Sequence, residues 1–353
     1  MPLFYIISIA SVFYILPAQG RVFNRSQSLV FNETDQTVVT SMFKNFVRKF
    51  NKAYLNDPEE YIWRLSVFKQ SLVRHAKFNA RELELNGTAV YGINQFSDWT
   101  PEEFREFLKR GVQEDHVSFT KNAMTPSGCC TPKLNSSNTP PNRDWRKDGK
   151  VSAVKNQGKC GSCWAFTATE CVESQWAIHN EHQTIKDLSV QELISCSPSQ
   201  GCSGGNTLSA LEWLQTKNYT LAPASEFPYV DKETTCRDDL LTEKGVRIKC
   251  GCAVQIKEEN TRMKDLVGQH GPLAVNVDAT MWHDYFGGII QYHCTDTDIN
   301  HAVQIVGYDF NGHIWYWIVR NSWGKDYGEQ GYLRIKMGDN LCGVADTPSF
   351  VVI

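Results

Sequence analysis

The sequence predicts an α+β protein of two lobes, preceded by a helical segment of its own. Three observations carry that reading. Residues 21–110 look helical and contain no cysteine. Asp144 to about Lys217 carries further helical patterns. After Gly271 the texture turns to strands. A helical half followed by a strand half leaves two unlike lobes with a cleft between them.

The first 20 residues read as a signal peptide. Leu3 to Leu16 is almost wholly apolar but shorter than the roughly 20 residues a span needs. Pro17-Ala18-Gln19-Gly20 follows, with small residues at the places cleavage requires. No later apolar run is long enough to span a bilayer, so no membrane span is expected.

In the cysteine-free segment, Val39, Phe43, Phe46 and Phe50 recur at helical spacing. A second helix starts at Asp57-Pro58-Glu59-Glu60, where Asp caps, Pro opens the first turn and Glu60 returns the capping-box contact. Its stripe is Tyr61, Leu65, Phe68 and Leu72. Ala89–Ile93 reads as a short strand. Thr100-Pro101-Glu102-Glu103 starts a third helix. Residues 111–143 are rich in Ser, Thr, Asn, Pro and Gly without apolar period, an exposed linker open to nicking.

Beyond the linker, Ser162 to about Asn180 reads as a long buried helix with Trp164, Ala168, Cys171, Val172 and Trp176 inward. Ser189-x-x-Glu192 caps a shorter one, and Thr207–Lys217 is a third. Strands are expected at 273–277, 303–308, 314–320, 332–337 and 350–353.

A net charge of −3 gives no basic patch, so nucleic acid is a poor partner. Twelve cysteines in a chain entering the secretory route read as disulfides. The glycosylation acceptors Asn24, Asn32, Asn86, Asn135 and Asn218 fit that compartment, lysosomal or extracellular.

Cys160-Gly161-Ser162-Cys163-Trp164 is the motif that carries chemistry. A Cys-x-x-Cys pair fits a redox site, half a zinc site, or a disulfide cysteine beside a nucleophile. The helix beginning here favours the third, because a helix N-terminus stabilises a thiolate. A thiolate nucleophile needs an acid for the leaving amine, which His301 supplies. Asn321 can fix the imidazole without adding charge. No cofactor or metal is called for.

These residues resemble the papain family of cysteine proteases. Gln157-Gly158-x-Cys160-Gly161-Ser162-Cys163-Trp164-Ala165-Phe166, Gly201-Cys202-Ser203-Gly204-Gly205 and Asn321-Ser322-Trp323-Gly324 carry the likeness. His301 falls inside, and Asn321 slightly beyond, the window about 130–150 residues downstream that marks the family. Asp284–Gln291 and Tyr316–Arg320 narrow the likeness to one branch.

The resemblance implies a papain-like fold with a helical left lobe, a β-barrel-like right lobe and an N-terminal inhibitory pro-segment. It implies boundaries of 1–20, 21–138 with the linker from about 111, and 139–353 for the peptidase. Cys163 would attack the scissile carbonyl, His301 donate the proton, Asn321 orient it, and Trp323 shield that bond. Gln157 and the Cys163 N–H would form the oxyanion hole. Gly204 and Gly205 would bind substrate backbone as an added strand. Asn206, Thr207, Asn276, Ala302 and Thr347 would line the pocket for the second side chain from the cut, a polar set tolerant of small or polar residues.

The pro-segment pattern gives Glu60, Arg64, Phe68 and Asn79 as the family has them, whereas Ser71 and His75 depart from it. Gly92-x-Asn94-x-Phe96-x-Asp98 is intact. The implied disulfides are Cys160–Cys202, Cys196–Cys236 and Cys294–Cys342, with Cys171 an inert core thiol. Cys129, Cys130, Cys250 and Cys252 have no assigned pairing; one reading tethers a pro-segment remnant through them.

The implied function is a monomeric endopeptidase acting on proteins or peptides through a thioester and made as a zymogen. It would be inhibited by its own pro-segment and by cystatin-like proteins. The competing readings are an inactive papain-like binding protein and a disulfide-rich structural glycoprotein.

Overall fold

The computed structural model describes residues 13–15, 22–24, 36–112, 134–181, 183–217, 220–237, 244–254 and 259–353. Most of the expected signal peptide lies outside them, as do Asn32, Cys129, Cys130 and Asn218. The chain divides into two compact units, residues 1–100 with 284–286, and residues 101–283 with 287–353.

In the first unit, Phe13–Ile15 (β1) pairs antiparallel with Val22–Asn24 (β2). Gln36–Lys49 (α1) buries Val39, Phe43 and Phe46, and Pro58–Glu84 (α2) buries Phe68 and Leu72 against them. Phe43 meets Phe68 with ring centroids 5.3 Å apart. Asp57 caps α2 by accepting from the Glu59 and Glu60 N–H groups at 3.2 Å each.

The capping box does not close as expected. Glu60 takes the Arg64 guanidinium at 2.7 Å, and the Asp57 N–H donates to the Tyr54 carbonyl. The expected strand shrinks to Val90–Tyr91 (β3), paired with residues of Tyr285–Gly287 (described below as β7).

The two departures from the pro-segment pattern have a physical reason. Ser71 and His75 are buried on α2. Asp284 accepts from His75 Nε2 at 2.9 Å and from Arg74 Nη2 at 2.9 Å, and also meets Arg74 Nε; the same Nη2 reaches Ser71 Oγ at 2.9 Å. An apolar residue at 71 or 75 would leave this buried carboxylate poorly matched. Asn79 pairs with both the N–H and the carbonyl of Tyr91.

The second unit opens with Pro101–Leu108 (α3) and Asn142–Asp144 (β4). Its helices are Cys163–His179 (α4), Val190–Cys196 (α5) and Thr207–Lys217 (α6). α4 is buried on nearly every side; most of its residues are apolar or small, and its buried acids meet basic partners, Glu173 at Lys155 and Glu170 at Arg320. Ser189 caps α5, accepting from the Glu192 N–H at 3.0 Å, while the Glu192 carboxylate takes the Ala222 N–H at 2.7 Å.

The strands are Cys250–Ala253 (β5), Leu273–Val277 (β6), Tyr285–Gly287 (β7), Ile289–Ile290 (β8), His301–Asp309 (β9), Tyr316–Arg320 (β10), Tyr332–Lys336 (β11) and Ser349–Val352 (β12). All but β7, which pairs with β3, join β4 in an eight-stranded sheet of order β5-β12-β6-β9-β10-β11-β8, with β4 beside β9. The path is open at both ends among the described residues, so the barrel-like lobe is an open sheet.

The linker expected from residue 111 is not exposed throughout. Gly111 is buried. At the other end, Thr139 Oγ1 donates to Asp265 at 2.5 Å and β4 joins the sheet. Pairs joined within the described residues of this unit include Cys160–Cys202, Cys196–Cys236 and Cys294–Cys342.

Candidate active site

Cys163 is the first residue of α4. Ser162, at the N-cap, makes no side-chain capping bond, so the helix start keeps N–H groups free to face a charge. The Cys160–Cys202 bond, with Cα atoms 4.6 Å apart, and the Gly161 N–H on the Cys202 carbonyl at 2.9 Å hold the entering turn.

His301 opens β9, opposite Val277 of β6. Its Nε2 lies 2.8 Å from Asn321 Oδ1, just beyond the end of β10. Asn321 accepts at the same oxygen from the Ser322 N–H at 2.8 Å, which orients its side chain, and its backbone N–H donates to the Gly331 carbonyl at 3.0 Å, which anchors the residue. The ring of Trp323 stacks on His301 at 4.6 Å and 25°, covering the bond. The thiol reaches the next residue of the same strand, where Cys163 Sγ accepts from the Ala302 N–H at 3.4 Å.

Gln157 closes the set. Its backbone N–H donates to the Ser322 carbonyl at 2.8 Å, its Oε1 accepts from Ser322 Oγ at 2.6 Å, and its Nε2 donates to the Cys160 carbonyl at 3.0 Å. One N–H of that amide is committed and the second is available for an oxyanion.

Of the pocket residues, Asn276 faces Ala302 across β6 and β9 and donates to Thr347 Oγ1 at 3.3 Å, bringing three together. Two are otherwise engaged: Asn206 accepts from the Ser209 N–H at 3.1 Å at the start of α6, and the Thr207 hydroxyl donates to the Trp164 carbonyl at 3.3 Å.

The chain itself lies across this site. The Gly205 N–H donates to the Gly111 carbonyl at 3.3 Å, and Val112 bridges Gly205 in parallel. A Cβ on Gly111 would stand 2.9 Å from Cys163 Sγ and 2.6 Å from the Asn300 carbonyl, so only glycine fits there. Phe104 of α3 packs on Trp323 edge-on at 5.6 Å and stacks on His283 at 4.6 Å.

This cover sets the protonation states. Burial pushes the Cys163 thiol up to about 12, against the weaker pull of the Ala302, Trp164 and Cys163 N–H groups. Burial also lowers His301 to about 4, against the Asn321 hydrogen bond. The covered site therefore holds a neutral thiol and a neutral imidazole. Uncovering it restores the solvation that a thiolate and an imidazolium require.

The sequence reading missed Arg110–Val112, because their composition looks like a loop. It also missed Arg320, whose position before Asn321 carries no motif signal. Arg320 Nη2 donates to the Ala153 carbonyl at 2.5 Å and lies 3.2 Å from Glu170; Nη1 reaches Ser152 Oγ at 3.1 Å and Gln304 Oε1 at 3.5 Å. One guanidinium thus binds α4, β9 and the segment before Gln157 to the strand that leads into Asn321. Those are the elements bearing Cys163, His301, Gln157 and Asn321. Burial raises the Glu170 carboxyl to about 7 despite Arg320 beside it. Cys171 is a free, buried thiol, pushed up to about 12 by its burial.

Among known proteins, the papain family cysteine protease domain matches residues 139–352, and the cathepsin propeptide inhibitor domain matches residues 43–104. Human cathepsin O is 40% identical over 289 residues, covering 82% of this chain and 87% of its own. Mouse cathepsin F is 35% identical over 88% of this chain and 64% of its own. Of solved structures, digestive procathepsin L 3 from the larval midgut of Tenebrio molitor superposes with a TM-score of 0.77 at 33% identity, covering 90% of this chain and 99% of that one. A recombinant stem bromelain precursor gives 0.77 at 30% identity, over the same shares.

Proposed function

Because the chain belongs to the papain family of cysteine proteases and carries a cathepsin-type inhibitory propeptide, we propose that its peptidase chemistry runs through Cys163, His301, Asn321 and Gln157. The observation that carries this is the His301–Asn321 bond of 2.8 Å beside a thiol at a helix N-terminus. The thiolate attacks the scissile carbonyl and breaks the C–N bond as His301 protonates the leaving amine, giving a thioester that water hydrolyses. Gln157 and the Cys163 N–H stabilise the oxyanion. Asn321 and Trp323 hold the imidazole.

The protein is a peptidase made with its own inhibitor, a zymogen activated by removal of the pro-segment. The finer reading is endopeptidase action by a monomer of the 3.4.22 class, in a lysosomal or extracellular compartment, open to cystatin-like inhibitors. A signal peptide ends at Gly20. The linker is cut before a mature chain that begins near Thr139. Asn24, Asn32, Asn86, Asn135 and Asn218 are acceptors for glycans. Gly204 and Gly205 bind substrate backbone where Gly111 and Val112 now lie. Asn276, Ala302 and Thr347, with Asn206 and Thr207 at the rim, favour small or polar side chains.

Labelling of the mature enzyme with a thiol-directed epoxide, followed by peptide mapping, tests the assignment. Modification at Cys163 and its loss in Cys163→Ala are expected. Label on another cysteine overturns it. Gln157→Ala is expected to lower kcat by about 10²–10³. Cleavage of a mixed peptide library tests the pocket, and a strong preference for Leu or Phe second from the cut rejects the polar reading.

A further inference from the structure

An oxyanion hole needs its two donors at a fixed spacing. Here the Gln157 amide is carried on a loop and the Cys163 N–H on α4. Loops hold such groups less precisely than helices or strands do, so a contact from outside the loop must set that spacing. One phenol spans both donors. Tyr229 donates its hydroxyl to the Gln157 carbonyl at 2.6 Å. With its proton there, its oxygen is left to accept from Ser162 Oγ at 3.3 Å, on the residue immediately before Cys163. Burial raises the phenol above its ordinary range, so it keeps the proton it donates.

Asp231 holds the stretch between the two donors. Its Oδ1 accepts from the Lys159 N–H at 2.9 Å and from the Cys160 N–H at 3.0 Å. Bonds of this charge-assisted kind are roughly twice as strong as neutral ones. Gly158 takes a φ of +58°, and a Cβ there would stand 2.5 Å from Asp231 Oδ2, so glycine lets the carboxylate close over the turn.

Tyr229 and Asp231 are themselves fixed by other elements. Phe166 of α4 meets the Tyr229 ring edge-on at 4.9 Å. Gln191 of α5 accepts from the Val230 N–H at 3.1 Å and donates to the Lys232 carbonyl at 2.9 Å. The Cys196–Cys236 bond ties the same segment to the end of α5. We propose that Tyr229 and Asp231 are positioning residues for the oxyanion hole, holding the Gln157 amide at the distance from the Cys163 N–H that a tetrahedral intermediate requires. The proposal rests on the reading of Gln157 and the Cys163 N–H as that hole.

A positioning role of this kind has its own kinetic signature. The oxyanion forms only as the carbonyl is attacked, so a misplaced donor lowers kcat and leaves KM alone. Alkylation of Cys163 by iodoacetamide displaces iodide from a tetrahedral carbon and forms no oxyanion. Its rate therefore reports the nucleophile by itself, and a general loosening of the helix start would slow both reactions.

The test is steady-state kinetics on one peptide substrate with activated wild type, Tyr229→Phe, Gln157→Ala and the double variant, beside the rate of Cys163 alkylation by iodoacetamide. Tyr229→Phe is expected to lower kcat about tenfold, since a misplacement of about 1 Å can cost about 10²-fold. Its KM and alkylation rate should stay within about twofold of wild type. In the Gln157→Ala background the same change should cost nothing further. Asp231→Gly suits the left-handed backbone at φ 56° and should lower kcat by about threefold, whereas Asp231→Asn keeps an acceptor and should restore most of it. An unchanged kcat in Tyr229→Phe, an equal loss in both backgrounds, or a fall in alkylation that matches the fall in kcat overturns the proposal and leaves Gln157 in its role. Full kcat in Gln157→Ala removes the oxyanion reading instead, and the proposal with it.

Discussion

Asp284 and Glu170 are both buried carboxylates set against an arginine, and they serve opposite ends. Asp284 faces Arg74, which is 20% exposed, and His75, both on the pro-segment helix α2. Glu170 faces Arg320, which is wholly buried, inside the lobe that carries the site. Water can reach the first cluster through Arg74, and acid can remove its shared anion. The second has no such access and joins elements that must stay together through every turnover. The pair teaches that one interaction type supplies a latch where it meets solvent and a permanent brace where it does not.

The largest expected effect comes from breaking the brace. Arg320→Met removes the donor shared by Glu170, Ser152, Ala153 and Gln304. Loss of one member of a buried pair costs about 3–5 kcal/mol. Thermal unfolding of the precursor reads the loss. A cost under about 1 kcal/mol shows that the guanidinium braces nothing. Glu170→Gln sharpens the point through pH. A carboxyl raised to about 7 in the fold supports stability below its unfolded range near 4.5 and loses that support as pH rises through 7. The wild type should therefore lose ground against Glu170→Gln between pH 5 and 8.

Next in size is the latch. Asp284→Asn strips the charge shared by Arg74 and His75, a loss of about 1–3 kcal/mol for charge-assisted bonds. Precursor processing at neutral pH should rise toward its acid rate. Equal processing of wild type at pH 4.5 and pH 7 would sink the acid latch altogether.

The covered site gives an independent gauge of the same release. Cys163, held near 12 by burial instead of its ordinary 9, has about a thousandfold less thiolate in the precursor. Epoxide labelling of Cys163 should be slower there than in the mature enzyme by at least about a hundredfold. His301 works in the same direction. Its folded value near 4 means that the covered state is favoured above 6.5 and loses that support as pH falls toward 4. Labelling of the precursor at pH 4.5 should approach that of the mature enzyme, and a pH-independent ratio rejects this coupling.

The regular part of this architecture was legible because its signals are local. Asp57 and Ser189 announce helix starts, and the β6 bounds, 273–277, follow from an apolar run interrupted only by Asn276. The motif residues were legible because their chemistry demands fixed residue types. What escaped was decided by tertiary context. β4 and β5 are short and lack alternation. Gly111 and Val112 read as loop because composition cannot show that a thiol lies beneath them. Ser71 and His75 looked like defects until Asp284, far away in sequence, supplied their partner.

The smallest expected effect separates latch from helix. Asp57→Ala removes the N-cap of α2, worth about 0.5–2 kcal/mol, while leaving Arg74, His75 and Asp284 in place. If release depends on the carboxylate, this variant loosens the helix start but keeps the pH dependence of processing, with a modest rise in rate at every pH. Asp284→Asn should instead flatten the profile. The slope of processing rate against pH, more than the rate itself, distinguishes them. A profile flattened as much by Asp57→Ala as by Asp284→Asn would mean that α2 melts as a whole, and that Asp284 is one contact among many instead of the point where acid acts.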